Sequence, residues 1–348
     1  MADGHEVLFV GTPDGVESRL APEAGVTFVA VPAKGFDRGA PLSLLSAAAV
    51  TLSSVWRARG VMRRFGADVV AGFGGYVSLP VGLAAVTGRV PLVLHEQNSI
   101  PGLANRVLSR WARAAGVTYE GSLKHLRHPE RGVMTGNPVR TTVLQADRAR
   151  GRRRLGVPED ATLMLVFGGS RGARHVNDAM VALAPALVAE PSLRVVHVAG
   201  RIEAASVAER VAGALGGQPS ERYQVRDYID EMGDAIAAAD VVVARAGATS
   251  IAEITAIGRA AVLVPYPYAT DDHQTLNARA VATAGGAEVV PDAELDSDRF
   301  RDAMMRLVRE PARRKQMADA SAALARRDAT ERVTALITGA LTGREESR

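Results

Sequence analysis

V-V-V-A-R-A-G-A-T-S-I-A-E-I-T-A-I-G, residues 241–258, fixes the class of fold. The β-branched run Val241 to Val243 leads into small residues, Ala246, Gly247 and Ala248. The hydroxyls of Thr249 and Ser250 follow, then an apolar segment that closes at Gly258. This pattern predicts a strand, a tight turn and a helix N-terminus. The free N–H groups and the dipole at such a helix start attract an anion, most often phosphate. Glu253 has two readings on spacing. With Ser250 it forms a capping box, Ser at the N-cap and Glu reaching back to the N-cap amide. Alternatively its carboxylate accepts two ribose hydroxyls, as acidic residues do in nucleotide-binding folds. Spacing leaves both open.

A second turn of this kind lies upstream. Gly168-Gly-Ser-Arg-Gly172 follows the apolar run Leu163 to Phe167 and precedes a helical segment. Glycines there let a backbone approach phosphate closely, although the pattern departs from G-x-G-x-x-G and serves equally as a tight βα turn. Strands alternate with helical segments through both halves of the chain, which predicts α/β architecture with parallel, doubly wound sheets. In the first half the strands are His5 to Gly11, Val26 to Val31, Ala67 to Phe73 and Val90 to Leu94, with a helix from Ser78 and another running to about Ala114. Polar and glycine-rich clusters sit at strand carboxyl ends: Gly74-Gly75, His95-Glu96-Gln97-Asn98 and the loop Asp271 to Asn277. Ligands of doubly wound sheets bind at that rim, so two such domains facing each other leave a cleft for a ligand. The arginine-rich stretch Gln145 to Arg154 has little apolar content and reads as the interdomain linker and entry to the second domain. The domains are expected at residues 1–142 and 143–327, with a C-terminal helix at 328–348 packing back toward the first.

Composition narrows the function classes. A chain of 348 residues, 47% apolar and 23% charged, is an ordinary globular protein of about two domains. It has no cysteine, which excludes disulfides, thiolate metal sites and Cys nucleophiles. The seven histidines show no metal-ligand spacing, and no G-x-S-x-G elbow or P-loop occurs. Aromatic content of 4% with no basic interleaving argues against nucleic acid. No signal-peptide layout opens the chain. The uncharged window Gly39 to Trp56 is flanked by Lys34, Arg38, Arg57, Arg59, Arg63 and Arg64. Its Ser, Ala and Thr content suits a semi-buried helix or an interfacial membrane contact better than a span.

Six motifs occur in one order: Gly74-Gly-Tyr-Val-Ser78, His95-Glu-Gln-Asn98, Gly136-Asn-Pro-Val-Arg140, Gly168-Gly-Ser-Arg-Gly-Ala173, Arg245-Ala-Gly-Ala248 with Glu253, and His273-Gln-Thr-Leu-Asn-Ala278. Together they resemble the MurG family of GT-B peptidoglycan glycosyltransferases over nearly the whole chain. The resemblance implies two Rossmann-like domains and inverting, metal-independent transfer of N-acetylglucosamine from UDP-N-acetylglucosamine to lipid I, an undecaprenyl-diphosphate muramyl-pentapeptide, giving lipid II. It implies no cofactor and a peripheral position on the cytoplasmic face of the cell membrane, against its anionic inner-leaflet surface. Ile229 would hold uracil, and Glu253 the ribose. Ser170 and the amides of Ala248, Thr249 and Ser250, with Ile251 and Ala252 behind them, would hold the diphosphate. Gln274 with His273 would read the sugar, and Arg140 and Asn98 would complete the site. His273 departs from members that carry Gln there. The acceptor would approach Gly74, Gly75 and Tyr76, with His95, Glu96 and the segment Gly35 to Arg38 on the same side.

The family's opening strand and its G-G-T-G-G-H loop have no counterpart before His5 in this sequence. The family His of that loop is therefore without a match, and the catalytic group is unassigned. The expectation is a first sheet short of a central strand and a chain of low activity as it stands, with Met1 an internal start. A degenerate UDP-sugar-binding protein and a UDP-sugar epimerase of the same architecture are the alternatives.

Overall fold

Continuous apolar runs make the strands of the second half, because a parallel sheet covered on both faces buries every side chain. A computed structural model describes residues 4–33, 41–168, 173–217 and 220–342, without the side chains of 41–49 and 342. The chain divides into two compact units, Met1–Thr135 with Glu331–Arg348, and Gly136–Thr330.

The first unit runs β1 (Leu8–Gly11), α1 (Glu17–Glu23), β2 (Thr27–Ala30), α2 (Pro41–Phe65), β3 (Val70–Gly72), α3 (Ser78–Gly88), β4 (Leu92–Glu96), α4 (Leu103–Leu108), β5 (Ala114–Val117) and β6 (Gly132–Met134). All its strand pairs are parallel. They form two separate sheets, β1-β2 and β3-β4-β5-β6. Phe9 of β1 stacks on Phe28 at 6.3 Å yet stays 43% exposed. The helix expected to run to Ala114 ends at Leu108, and Ala114 opens β5. Leu92, Leu94, Leu108, Ala115 and Val117 share one core, so the sheet claims Ala114 to Val117 although alanine and glycine carry little strand preference of their own.

The long helix α2 is half-buried. Ser54, Ala58, Val61 and Met62 face inward at helical spacing. Leu52 and Trp56 lie on the exposed side, with Arg63 and Arg64 in the last turn. Among the described residues no helix is long and apolar enough to cross a membrane.

The second unit runs α5 (Thr141–Leu144), α6 (Arg148–Leu155), β7 (Thr162–Phe167), α7 (Arg174–Val188), β8 (Leu193–Val198), α8 (Ala204–Ala214), β9 (Tyr223–Arg226), α9 (Met232–Ala238), β10 (Val241–Arg245), α10 (Ala248–Ile257), β11 (Ala260–Val264), α11 (His273–Thr283), β12 (Ala287–Val289), α12 (Asp298–Arg309) and α13 (Pro311–Ala323). A last helix, α14 (Ala329–Thr342), carries the chain back into the first unit's set of residues. The six strands form one parallel sheet in the order β12-β11-β10-β7-β8-β9. Alternate residues feed two cores, one on each face: Met164, Val166, Val241 and Val243 on one side, Leu163, Leu165, Val242 and Ala244 on the other.

The arginine-rich stretch is not a linker. Residues 148–155 form α6, capped by Asp147, whose side chain accepts from the Arg150 amide. Arg150 and Arg154 pair with Asp234 of α9, while Arg148 and Arg152 pair with Asp240. Gly151 is where α6 touches α9, since a Cβ there would lie 2.1 Å from the Asp234 carbonyl oxygen. The partner carboxylates lie some ninety residues downstream, so local composition reads as a solvated segment.

A polar relay crosses the other core. His197 on β8 is fully buried between the Tyr223 hydroxyl (3.1 Å to Nδ1) and Asn177 Oδ1 (2.9 Å to Nε2). Burial pushes its pKa down to about 4, so the ring is neutral. In the unfolded chain its pKa returns to about 6.5, and the unfolded state binds the extra proton. Stability is therefore expected to fall as pH drops from about 6.5 toward about 4, by up to about 3 kcal/mol. Urea unfolding at about pH 7 and about pH 4.5 measures this. His197→Gln should flatten the difference, and an unchanged pH slope in that variant would overturn it.

Candidate functional site

The sheet order of the second unit reverses at its centre. From β7 the chain first moves outward through β8 and β9, then returns to the other side of β7 with β10 and moves outward through β11 and β12. Ala244 of β10 lies opposite Phe167 of β7, so the turns that follow these two strands start side by side. Such a switch point is where open α/β sheets bind ligands.

At the β10 turn, α10 begins at Ala248 with Gly247 as its N-cap in extended conformation (φ −66°, ψ 142°). No side chain caps it. The first helical bond runs from the Ile251 amide to the Gly247 carbonyl (3.0 Å), which leaves the amides of Ala248, Thr249 and Ser250 without helical acceptors. The capping-box reading fails here. Ser250 is the third helical residue and Glu253 the sixth, so Glu253 cannot reach the N-cap amide. Its carboxylate, in a side chain 8% exposed, pairs instead with Arg140 at 3.1 Å. Arg140 comes from the residue preceding α5, 113 positions earlier in sequence. Ile251 and Ala252 sit behind the open turn, Ile251 in the core and Ala252 half-buried. At its far end α10 stops at Gly258 (φ +73°), where a Cβ would come within 2.9 Å of Ala322.

The segment after β11 is more helical than a loop reading gives. Asp271 and Asp272 both take left-handed φ of 52°, and α11 starts directly at His273. Gln274 therefore lies in the first turn, its Oε1 accepting from the Tyr266 amide at 2.9 Å. His273 Nδ1 lies 2.7 Å from the Thr270 carbonyl oxygen. Asn277 is fully buried, and its Nδ2 donates to the Ala246 carbonyl at 3.5 Å, which ties α11 to the β10 turn. At the end of β9, Ile229 is half-buried against the core and Tyr228 is exposed, with the Arg201 guanidinium 4.6 Å from its ring centre. The structure thus brings Arg140, Ile229, Ala248 to Glu253, His273 and Gln274 to the carboxyl-end rim of one sheet. Ser170 lies outside the described residues. Among the described residues no group of three His, Cys, Asp or Glu side chains is placed to hold a metal ion.

In the first unit, Gly74 (φ +82°) and Gly75 (φ +78°) make a left-handed turn after β3, and Tyr76 beyond it is 67% exposed. His95 and Glu96 are not surface groups, being 2% and 5% exposed. Glu96 accepts from the Asn98 amide (2.9 Å), Asn98 Nδ2 (3.2 Å), the Gly102 amide (3.1 Å) and Asn105 Nδ2 (2.9 Å). A carboxylate with four donors shapes the loop that presents Asn98 and has no capacity left for an acceptor. His95 packs against Phe73 at 5.7 Å between ring centres. The segment Gly35 to Arg38 lies outside the described residues.

One motif residue was given no role by the sequence. Arg245, the last residue of β10, is buried and pairs with Asp292, and its guanidinium also donates to the Pro265 carbonyl at 3.2 Å. A charged residue closing a run of valines was the available signal.

Two parallel α/β units, with an uncapped helix start and a buried carboxylate at the carboxyl-end rim of the second, have the architecture of the GT-B glycosyltransferases. Residues 1–117 match the glycosyltransferase family 28 N-terminal domain and residues 163–333 its C-terminal domain. The chain is 35% identical over 328 residues to the UDP-N-acetylglucosamine–N-acetylmuramyl-(pentapeptide) pyrophosphoryl-undecaprenol N-acetylglucosamine transferase of Desulfitobacterium hafniense strain Y51, covering 94% of this chain and 89% of the relative. It is 38% identical over 322 residues to the enzyme of that name from Halothermothrix orenii, covering 91% and 86%. The crystal structure of Acinetobacter baumannii MurG superposes with a TM-score of 0.75 at 28% identity, over 97% of this chain and 92% of that one. The chain belongs to the MurG family of glycosyltransferases. A UDP-GlcNAc 2-epimerase from Neisseria meningitidis superposes at TM-score 0.66 and 12% identity, over 96% of this chain and 91% of that one, a likeness of fold alone.

Proposed function

We propose that this chain transfers N-acetylglucosamine from UDP-N-acetylglucosamine to the muramyl-pentapeptide of lipid I, forming lipid II with inversion at the anomeric carbon. The observation that carries the reading is the rim of the second unit, where the open α10 start, the Arg140–Glu253 pair and the first turn of α11 stand together. The uracil sits against the Ile229 backbone, the ribose hydroxyls on Glu253, and the diphosphate on the amides of Ala248, Thr249 and Ser250 with Ser170. Gln274 and His273 take the sugar hydroxyls. An acceptor hydroxyl, losing its proton to a general base, attacks the anomeric carbon as the bond to the diphosphate oxygen breaks, and UDP leaves with the bonding electron pair. Charge developing on that oxygen meets fixed amides and the positive end of α10, which stabilise it without reorganisation. Arg140 and Asn98 complete the donor site, and the turn Gly74 to Tyr76 serves the acceptor side. The epimerase reading is disfavoured, because the relatives above 30% identity over nearly the whole chain carry the transferase name.

The acceptor is a lipid, and the first unit carries matching chemistry. Leu52 and Trp56 on α2 are exposed, as are Leu103 and Val107 on α4 and Trp111 just beyond it. Arg57, Arg63 and Arg64 accompany the first group, and Arg110 lies 5.9 Å from the Trp111 ring centre. Exposed apolar side chains ringed by arginine suit the headgroup region of an anionic bilayer at the cytoplasmic face.

Incubation with UDP-N-acetylglucosamine and a soluble lipid I analogue should release UDP only when the acceptor is present, with the disaccharide product seen by mass spectrometry. Conversion of the nucleotide sugar to its 2-epimer without acceptor would overturn the transferase reading. On phosphatidylglycerol vesicles, the double variant Trp56→Ser, Trp111→Ser should lower partitioning by about tenfold or more. Unchanged sedimentation with vesicles would remove the membrane face.

A further inference from the structure

We propose that Asp292 is a positioning residue of the donor site, holding Arg245 and His175 together so that the start of α7 and the segments after β10 and β11 keep one fixed geometry. This rests on the donor-site reading above. Asp292 follows β12, in a tight turn at the same carboxyl-end rim. One of its oxygens pairs with Arg245, which ends β10 immediately before the Ala246 to Ala248 turn. The other lies 2.7 Å from His175 Nδ1, in the first turn of α7 and three residues past Gly172. Arg245 in turn donates to the Pro265 carbonyl, directly after β11, and its guanidinium lies 5.6 Å from the Tyr266 ring centre. The Tyr266 amide is the donor to Gln274. One carboxylate therefore ties the start of α7, the turn that opens α10 and the segment that presents Gln274.

The pair is well shielded, with side-chain exposures of 10% for Arg245 and 13% for Asp292. At such depth neither charge finds water as a substitute partner, so removing one leaves the other uncompensated. His175 is the adjustable member. It faces Asp292 on one nitrogen and Asp296 on the other at 3.4 Å. Arg245 lies beyond Asp292, and the neighbouring Arg174 is engaged by Glu203 at 2.8 Å. Hydrogen bonding to Asp292 raises the His175 pKa above its ordinary value, so the ring holds its proton over a wider range. Once the proton leaves, the ring has a single N–H for two carboxylates. The hold on α7 then loosens as pH rises.

The test is UDP binding by calorimetry, with KM and kcat alongside. Wild type should bind UDP. Asp292→Asn should weaken that binding by at least about tenfold and raise KM for the nucleotide sugar more than it lowers kcat. His175→Gln, at a half-exposed site that tolerates the change, should remove the part of the wild-type affinity loss that accompanies rising pH. A folded Asp292→Asn protein that binds UDP within about twofold of wild type would overturn the positioning role. A pH profile of His175→Gln identical to wild type would do the same, and it decides the matter if Asp292→Asn fails to fold. Absence of UDP binding in wild type would instead bring down the donor-site reading, and this proposal with it.

Discussion

Glu253→Gln is expected to weaken UDP binding at least tenfold, about 1.4 kcal/mol, while leaving the melting temperature nearly unchanged. The carboxylate lies in a side chain 8% exposed and takes no part in capping α10. Its Arg140 partner is 64% exposed, so the pair contributes little to stability, on the order of 0–1 kcal/mol. What the amide cannot supply is a charged acceptor for two hydroxyls at once. A site built to bond both hydroxyls leaves one of them poorly satisfied when its acceptor becomes an amide with a single carbonyl oxygen. Calorimetric titration with UDP, beside a thermal melt, measures both quantities. Retained UDP affinity, or a melting temperature that falls with affinity intact, would remove Glu253 from the ribose position.

The second large effect is on folding. Arg152→Ala should destabilise the second unit by about 3–5 kcal/mol. Its melting transition should fall by about 10 °C. Arg152 is fully buried. Its guanidinium donates to the carbonyls of Pro158, Glu159 and Ala161 and to Asp240 at 2.7 Å. Asp240 also accepts from the Leu163 amide at 2.8 Å, at the start of β7. Removing the arginine leaves Asp240, beside the central strand, with the half-exposed Arg148 as its remaining ionic partner and leaves three carbonyls unserved. Asp240→Asn should therefore not add to Arg152→Ala, because both break one network. Calorimetry on the two single variants and the double variant decides it, and a loss below about 1 kcal/mol would show that water replaces the arginine.

Local pattern carried most of the second unit. The runs Leu163 to Phe167 and Val241 to Val243 are apolar at every position, the mark of strands covered on both faces, and both became central strands of one sheet. Small residues after Val243 marked the turn into α10, and the structure starts the helix at Ala248, inside that turn. The first unit was harder. Ala114 reads as a helix end from sequence, and only pairing with β4 and β6 makes Ala114 to Val117 a strand. The two aspartates before His273 adopt left-handed backbone, a conformation their short side chains tolerate but do not announce.

By itself, then, the sequence determined the alternation of strand and helix, the rim on which Glu253, Gln274 and the α10 amides stand, and six ordered motifs of one transferase family. These are properties of short windows, set by side-chain period, backbone freedom at glycine and the chemistry of single residues. Tertiary structure decided which charges are paired. Arg148 to Arg154 became part of a packed helix, with Arg152 at its buried centre, because Asp234 and Asp240 pair with it from far along the chain. Glu253 is free of capping because α10 starts at Ala248, ahead of Ser250, and Arg140 meets its carboxylate across 113 residues. Arg245 found Asp292 and His175 only once four strands stood side by side. A charge shows in the sequence only its own sign. Where its partner stands is a consequence of how the sheet is ordered.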